Sequence, residues 1–212
     1  MAYVKSRMII GLMLVAAACG NTTATTITGD SVPSPTASGT LSIANQGGTL
    51  EGHTPIGFAG TGTGLFVGDN LNPSFPEGDG VQTFLTFALP EGINVVSAIV
   101  RSDVLSTAGA PFEDLGSLLI EPITYSEFGP QLFDLSADAE ATACRVTGST
   151  TLECDVTKSV SEAVAQSRDS VQFRLRFEKI ADNDGAPDLA QFYRSDSNTN
   201  EAGLFNLVIS SR

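Results

Sequence analysis

The 212-residue chain carries 24 acidic against 11 basic side chains, a formal charge of −13, with 21 glycines, 10 prolines and no tryptophan. A surface of that sign repels phosphate backbones, and no Lys/Arg cluster interrupts it, so nucleic acid is excluded as a partner. Acidity of this kind serves solubility first and, where carboxylates gather, divalent cations second.

The chain opens MAYVKSRMIIGLMLVAAACG. Basic Lys5 and Arg7 precede an apolar run from Met8 to Val15, and small residues lead into Cys19, the pattern of a secretory leader over residues 1–18. The run is too short to span a bilayer. Ala16-Ala17-Ala18-Cys19 resembles a bacterial lipobox, with Ala16 where the pattern usually has leucine; ordinary cleavage near the alanines is the other reading. The resemblance implies that Cys19 is lipidated and becomes the mature N-terminus. Gly20 stands where aspartate would signal inner-membrane retention, so the implied location is the bacterial outer membrane, on its periplasmic or cell-surface face. No other stretch is long and apolar enough to cross a membrane, which makes the lipid the only expected attachment. Loss of Lys5 and Arg7 with the leader takes the formal charge from −13 to −15.

Residues 19–39 are rich in Thr, Ser, Pro and Gly and hold few apolar side chains, so they are expected to form a flexible tether. From residue 40 to 212 the texture changes to short apolar strings broken by Gly, Pro and Asx, which predicts a single antiparallel β-sandwich, jelly-roll-like, with one short helix. Val81–Val104 reads as an apolar hairpin turning at Pro90-Glu91-Gly92. Thr83, Leu85, Phe87 and Leu89 share one strand face, and Val96, Ala98 and Val100 share another. Further strands are expected at Leu41–Ala44, Thr49–Gly52, Gly64–Gly68, Ser117–Tyr125, Gln131–Leu135, Thr142–Val146, Thr151–Val156, Val171–Ile180, Ala190–Arg194 and Leu204–Ser210. Alternation is clearest in VQFRLRFEKI, with Val171, Phe173, Leu175 and Phe177 facing in and Gln172, Arg174, Arg176 and Glu178 facing out. In DVTKSVSEAVAQS, Val156, Val160, Ala163 and Val164 share one side at helical spacing. The start is Ser159 with a capping box to Glu162, or one turn earlier at Asp155 or Thr157.

Cys144 and Cys154 fall in ATACRVTGSTTLECDVT, which reads as a hairpin turning at Gly148-Ser149-Thr150. A three-residue turn sets Val146 opposite Leu152 and Cys144 opposite Cys154 on one apolar face, and export favours a disulfide there. Two small buried thiols are the alternative.

Three stretches, taken in order, resemble bacterial DNRLRE-type domains. VQTFLTFALPEGINVVSAIV is similar to their opening strands, DVTKSVSEAVAQ to their helix, and QFRLRFEKI with AQFYRSDSNTNEAGLFNLVIS to their closing strands. The resemblance covers roughly Thr40 to Arg212. It implies a jelly-roll sandwich on an exported protein, with some relatives binding acidic polysaccharides. The chain departs at Thr86 and Ala88, where the family often has Arg and Asp, and it lacks the helix aromatic and any indole platform for stacking sugars.

Catalytic patterns are weak. Carboxylates occur in no spacing distinct from a solvated surface, the one histidine, His53, lies in the Gly-rich GGTLEGHTPIG, and neither G-x-S-x-G nor a P-loop lysine is present, so a non-catalytic protein is expected. Two Asx-rich loops offer hard oxygen ligands: ADNDGAPD, with Asp182, Asp184 and Asp188, and GDNLNPSFPEGDG, with Asp69, Asn70, Asn72, Glu77 and Asp79. Calcium is the cofactor such loops admit; good turn formation explains the same residues. Arg174, Arg176 and Arg194, with Tyr193 beside them, form a candidate ligand-binding patch for uronate carboxylates if their strands are neighbours. Cross-strand pairing with Glu178 and Asp196 is the competing reading. The expectation is a lipid-anchored envelope protein that binds an acidic polysaccharide; the alternative is a structural or assembly lipoprotein that binds a protein partner.

Overall fold

The computed structural model describes residues 39–58, 64–71, 79–193 and 204–212. Cys19, the expected leader and tether up to residue 38, and Arg194 lie outside them. Two antiparallel sheets pack face to face. The five-stranded sheet contains β1 (Gly39–Ala44), β6 (Val95–Ser102), β10 (Arg145–Thr147), β11 (Thr151–Asp155) and β14 (Asn206–Ser211), in the order β1-β14-β6-β11-β10. The nine-stranded sheet contains β2 (Gln46–Glu51), β3 (Thr54–Phe58), β4 (Leu65–Asn70), β5 (Asp79–Ala88), β7 (Leu105–Ala108), β8 (Leu118–Pro122), β9 (Thr142–Ala143), β12 (Ser170–Phe177) and β13 (Asp188–Phe192). Its main path runs β7-β13-β4-β5-β12-β8-β9, with β2 beside β5 and β3 beside β2. Helix α2 (Thr157–Ala165) follows β11, a single turn α1 (Pro111–Asp114) follows β7, and a 3-10 turn occupies Pro130–Leu132.

The period-two pattern explains the core. Leu85, Phe87, Phe173, Leu175 and Phe177 from the larger sheet meet Ala98, Val100, Leu152, Leu207 and Ile209 from the smaller one, all essentially inaccessible. Each large side chain so buried contributes about 1.5–3 kcal/mol. Helix α2 closes one side through Val160 and Ala163. It begins at Thr157, before Ser159, with Val156 rather than Asp155 or Thr157 at the cap position. Asp155 Oδ1 accepts the Thr157 amide at 2.9 Å, and hydrogen bonds from the Thr157 hydroxyl and then its amide hold the Asp155 carboxyl below its usual range.

Several expected elements are redrawn. Val81–Val104 is not a hairpin: β5 belongs to the larger sheet and β6 to the smaller, so Pro90–Gly92 carries the chain from one layer to the other. Both strands are apolar on one face because each lines the same core from opposite sides. Val96 is 45% exposed, since the register shift where Ser211 pairs Val95 turns it out of the alternation. The strand expected at Thr142–Val146 breaks at Cys144, with β9 pairing β8 in one sheet and β10 pairing β11 in the other. Val146 does face Leu152, as the three-residue turn requires, but lies on the edge and is 38% exposed. The Cys144–Cys154 disulfide is present and fastens this layer crossing to the core. Gln131–Leu135 is not a strand. Gly129-Pro130 starts the 3-10 turn instead, and Ile123, Tyr125, Phe128, Leu132, Phe133 and Leu135 pack with Leu50 and Phe84 into a second, smaller apolar cluster. Phe84 lies on the opposite face of β5 from Leu85 and Phe87, so this cluster covers the outer face of the larger sheet.

Candidate functional site

Arg174 and Arg176 do lie on the outer face of β12, yet they are not a free cationic patch. The register places Arg174 opposite Glu121 of β8 and Arg176 opposite Leu119. Glu121, only 4% exposed, receives both guanidinium groups. Arg174 donates through Nε at 2.9 Å and Nη2 at 2.5 Å to Oε2, while Arg176 donates through Nε at 2.8 Å and Nη2 at 2.6 Å to Oε1. Arg174 Nη1 then reaches the Leu135 carbonyl at 2.7 Å and the Phe133 carbonyl at 3.4 Å. Arg176 Nη1 reaches the Phe177 carbonyl at 2.9 Å. Burial pushes the Glu121 carboxyl up, but the hydrogen bonds and charges of Arg176 and Arg174 outweigh it and hold it below the usual carboxylate range. A uronate carboxylate would have to displace Glu121 from two charge-assisted forks.

Nor are the proposed neighbours adjacent. β13 is separated from β12 by β4 and β5, three strand spacings or roughly 14 Å. Tyr193, just beyond β13, is half exposed and stands apart from the two arginines. The competing partner, Glu178, meets Arg176 only through its backbone carbonyl at 3.5 Å. Glu121 was the partner that sequence reasoning missed; the one carboxylate within the otherwise apolar strand LLIEP was its signal.

The carboxylates converge at another place. Ligand oxygens of Asp114, Asp182 and Asp188 lie within 4.8 Å of one another. They arrive from three segments: Asp114 ends α1, Asp182 lies in the loop after β12, and Asp188 begins β13. Asp184 is not in this group. Its carboxylate instead accepts the Ala186 amide at 2.7 Å, within its own loop, as the turn reading expects. Asp188 is 2% exposed; its Oδ1 accepts the Ala110 amide at 2.6 Å, and a Cβ on Gly109 would strike that same oxygen. Asp69, equally buried and opposite Asp188 in the ladder, accepts the Asp182 amide at 3.2 Å. Burial, then the charges of Asp182 and Asp188, push the Asp69 carboxyl up against the lowering effect of that amide. Desolvation followed by the charges of Asp188, Asp182 and Asp184 pushes Asp114 up as well. Asp114, fixed by the Pro111 turn far from the Asx loops in sequence, carried no sequence signal. Of the second Asx loop, Asn70 donates to Glu51 at 2.8 Å, while Asn72 and Glu77 fall outside the described residues.

His53 occupies the turn between β2 and β3. Its Nε2 lies 2.6 Å from Asp134 Oδ2, and its ring centroid is 5.3 Å from that of Phe133, so it fastens the covering segment rather than facing a cleft. No family model matches this sequence, and no curated protein aligns with it significantly.

Proposed function

We propose that the chain is a non-catalytic binding module of the bacterial outer membrane, tethered by lipid on Cys19 through residues 19–39. Its binding end is the one at which Asp114, Asp182 and Asp188 meet. That convergence is the observation behind the reading: carboxylates from separate segments, with Asp69 beside them, are brought together against their mutual repulsion, and a divalent cation relieves it. The ligand class is an acidic polysaccharide, in keeping with the resemblance to DNRLRE-type domains. For a chain of formal charge −13 whose Arg174 and Arg176 are engaged by Glu121, a bound calcium supplies the positive charge that such a ligand needs. Affinity electrophoresis in gels containing an acidic polysaccharide tests it. Retardation is expected with calcium and not with chelator, and an Asp188→Asn variant that migrates like wild type under both conditions refutes the cation's part.

The alternative, an assembly lipoprotein that binds a protein partner, is favoured by the edge of the smaller sheet. Among the described residues β1 pairs only with β14, and its six residues, GTLSIA, hold neither charge nor proline to blunt an edge. A partner strand added there would leave a crosslink through residues 39–44. Crosslinking in whole cells that yields no partner at those positions counts against it.

A further inference from the structure

Helix α2 ends in an unusual way. The Ser167 amide donates to the Val164 carbonyl at 2.9 Å and the Arg168 amide to Ala163 at 3.0 Å, the paired bonds of a Schellman exit. That exit needs a residue in the left-handed region, where glycine is the ordinary solution; here it is Ser167, with φ 54°. Its side chain is exposed and makes no hydrogen bond among the described residues. Ser167, Arg168 and Asp169 form a ridge between two grooves. One, of about 480 Å³, runs between the ridge and Pro90, Glu91 and Gly92. The other, of about 660 Å³, runs between the ridge and Thr124, Tyr125, Ser170 and Gln172. Each has the size of a small-ligand site.

The lining decides the ligand. Arg101, Arg145, Arg174 and Arg176 all reach carboxylates, whereas Arg168 gives only its Nε to Gln166 Oε1 at 2.9 Å and leaves its terminal amino groups without a carboxylate among the described residues. Tyr125 is held still: its hydroxyl meets Thr86 Oγ1 at 2.8 Å and its amide donates to Gln172 Oε1 at 3.0 Å, which leaves the Gln172 amino group for the groove. Phosphate or sulfate would meet one guanidinium flanked by Asp169 and Glu91, so a strong anion is disfavoured. Sugar hydroxyls both donate and accept, and they need this balance of guanidinium, amide, hydroxyl and carboxylate. We infer that the two grooves form a binding site for a neutral oligosaccharide, which lies across the Ser167 ridge with a ring in each groove and Arg168 and Asp169 on its hydroxyls. This rests on the reading of the domain as a non-catalytic binding module but not on the cation, because the carboxylate end follows the far end of β12, eight residues away.

The test uses the full chain in chelator, against neutral hexasaccharides (cello-, malto-, manno- and xylohexaose) by titration calorimetry and amide shift mapping. At least one should bind and shift residues 89–92, 124–125 and 167–172. Arg168→Ala should weaken binding about tenfold or more, and Ser167→Gly about threefold while raising Tm or leaving it unchanged, since glycine suits the exit better. No binding of any of the four, or binding untouched by either substitution, overturns the inference. If acidic polysaccharide is then still retained with calcium and lost in Asp188→Asn, the binding-module reading stands without it; if that fails too, both fall.

Discussion

Among the described residues, an Arg-Glu-Arg group lies on the outer face of each sheet, with opposite consequences; the one on the smaller sheet also engages Asp103, 2.8 Å from Arg101. On the larger sheet, the side chains of Arg174, Glu121 and Arg176 are 8, 5 and 25% exposed and lie beside the covering segment of the second apolar cluster. On the smaller sheet, Arg101, Glu153 and Arg145 are 45, 24 and 77% exposed, with Glu153 3.1 Å from Arg101 and 3.6 Å from Arg145. The bare face keeps Ser42, Ser97, Ile99 and Val208 in half- or fully exposed rows; the covered one carries Phe84, Tyr125, Phe128, Leu132 and Phe133. Composition does not make a charged group structural or solvated. A layer of chain laid over it does.

That contrast is open to breaking. Glu121→Gln should cost about 3–5 kcal/mol, because two guanidinium groups remain in a dry environment, while Glu153→Gln should cost about 1 kcal/mol or less; urea midpoints of the two variants measure the difference. A Glu121→Gln cost no larger than that of Glu153→Gln would mean that the covering segment is not held by its ion group. Next in size, Leu132→Ala should cost about 2–4 kcal/mol as a buried truncation, and Ile99→Ala on the bare face well under half of that, again read from unfolding midpoints.

The same contrast marks what was legible from sequence. Alternation in β12 placed Phe173, Leu175 and Phe177 in the core, and helical spacing placed Val160 and Ala163 there too. Periodicity reports which face a side chain takes, so these succeeded. It does not report what covers the other face, and for that reason Arg174 read as outward and available. The layer over it comes from residues 123–135, an irregular segment whose apolar residues have neither period; within it only Gln131–Leu135 was misread as a separate strand, and the strand expected at Ser117–Tyr125 ends at Pro122. The carboxylate end was half legible. Asp182 and Asp188 share one Asx loop, but Asp69 and Asp114 join them only through the β4–β13 ladder and the Pro111 turn. Arg168 gave no signal, since a lone arginine after a helix is ordinary until two grooves flank it.

Acid separates the two charged regions by sign. Glu121 has a folded-state carboxyl below its ordinary range, so its contribution is complete above the unfolded value of about 4.3 and is lost as pH falls through the lower folded value. Asp69 and Asp114 are raised, so the native state holds more protons than the unfolded one between about 3.9 and the folded values, and their contribution declines as pH rises through that window. Midpoints against pH should therefore fall less steeply below pH 4 in Glu121→Gln than in wild type. Asp69→Asn should be the smallest of the effects, a gain of some tenths of a kcal/mol at neutral pH without calcium, as one repelling charge leaves the cluster.

The most direct measurement is calorimetric titration of the chelator-treated chain with calcium at neutral pH, repeated on Asp188→Asn. One ion should bind to wild type with a dissociation constant of about 0.1–1 mM, the range of extracellular modules, and binding should vanish in the variant while its fold persists. A folded wild-type chain that releases no heat with calcium, or an Asp188→Asn variant that binds it equally well, would contradict the assignment of the binding end to Asp114, Asp182 and Asp188.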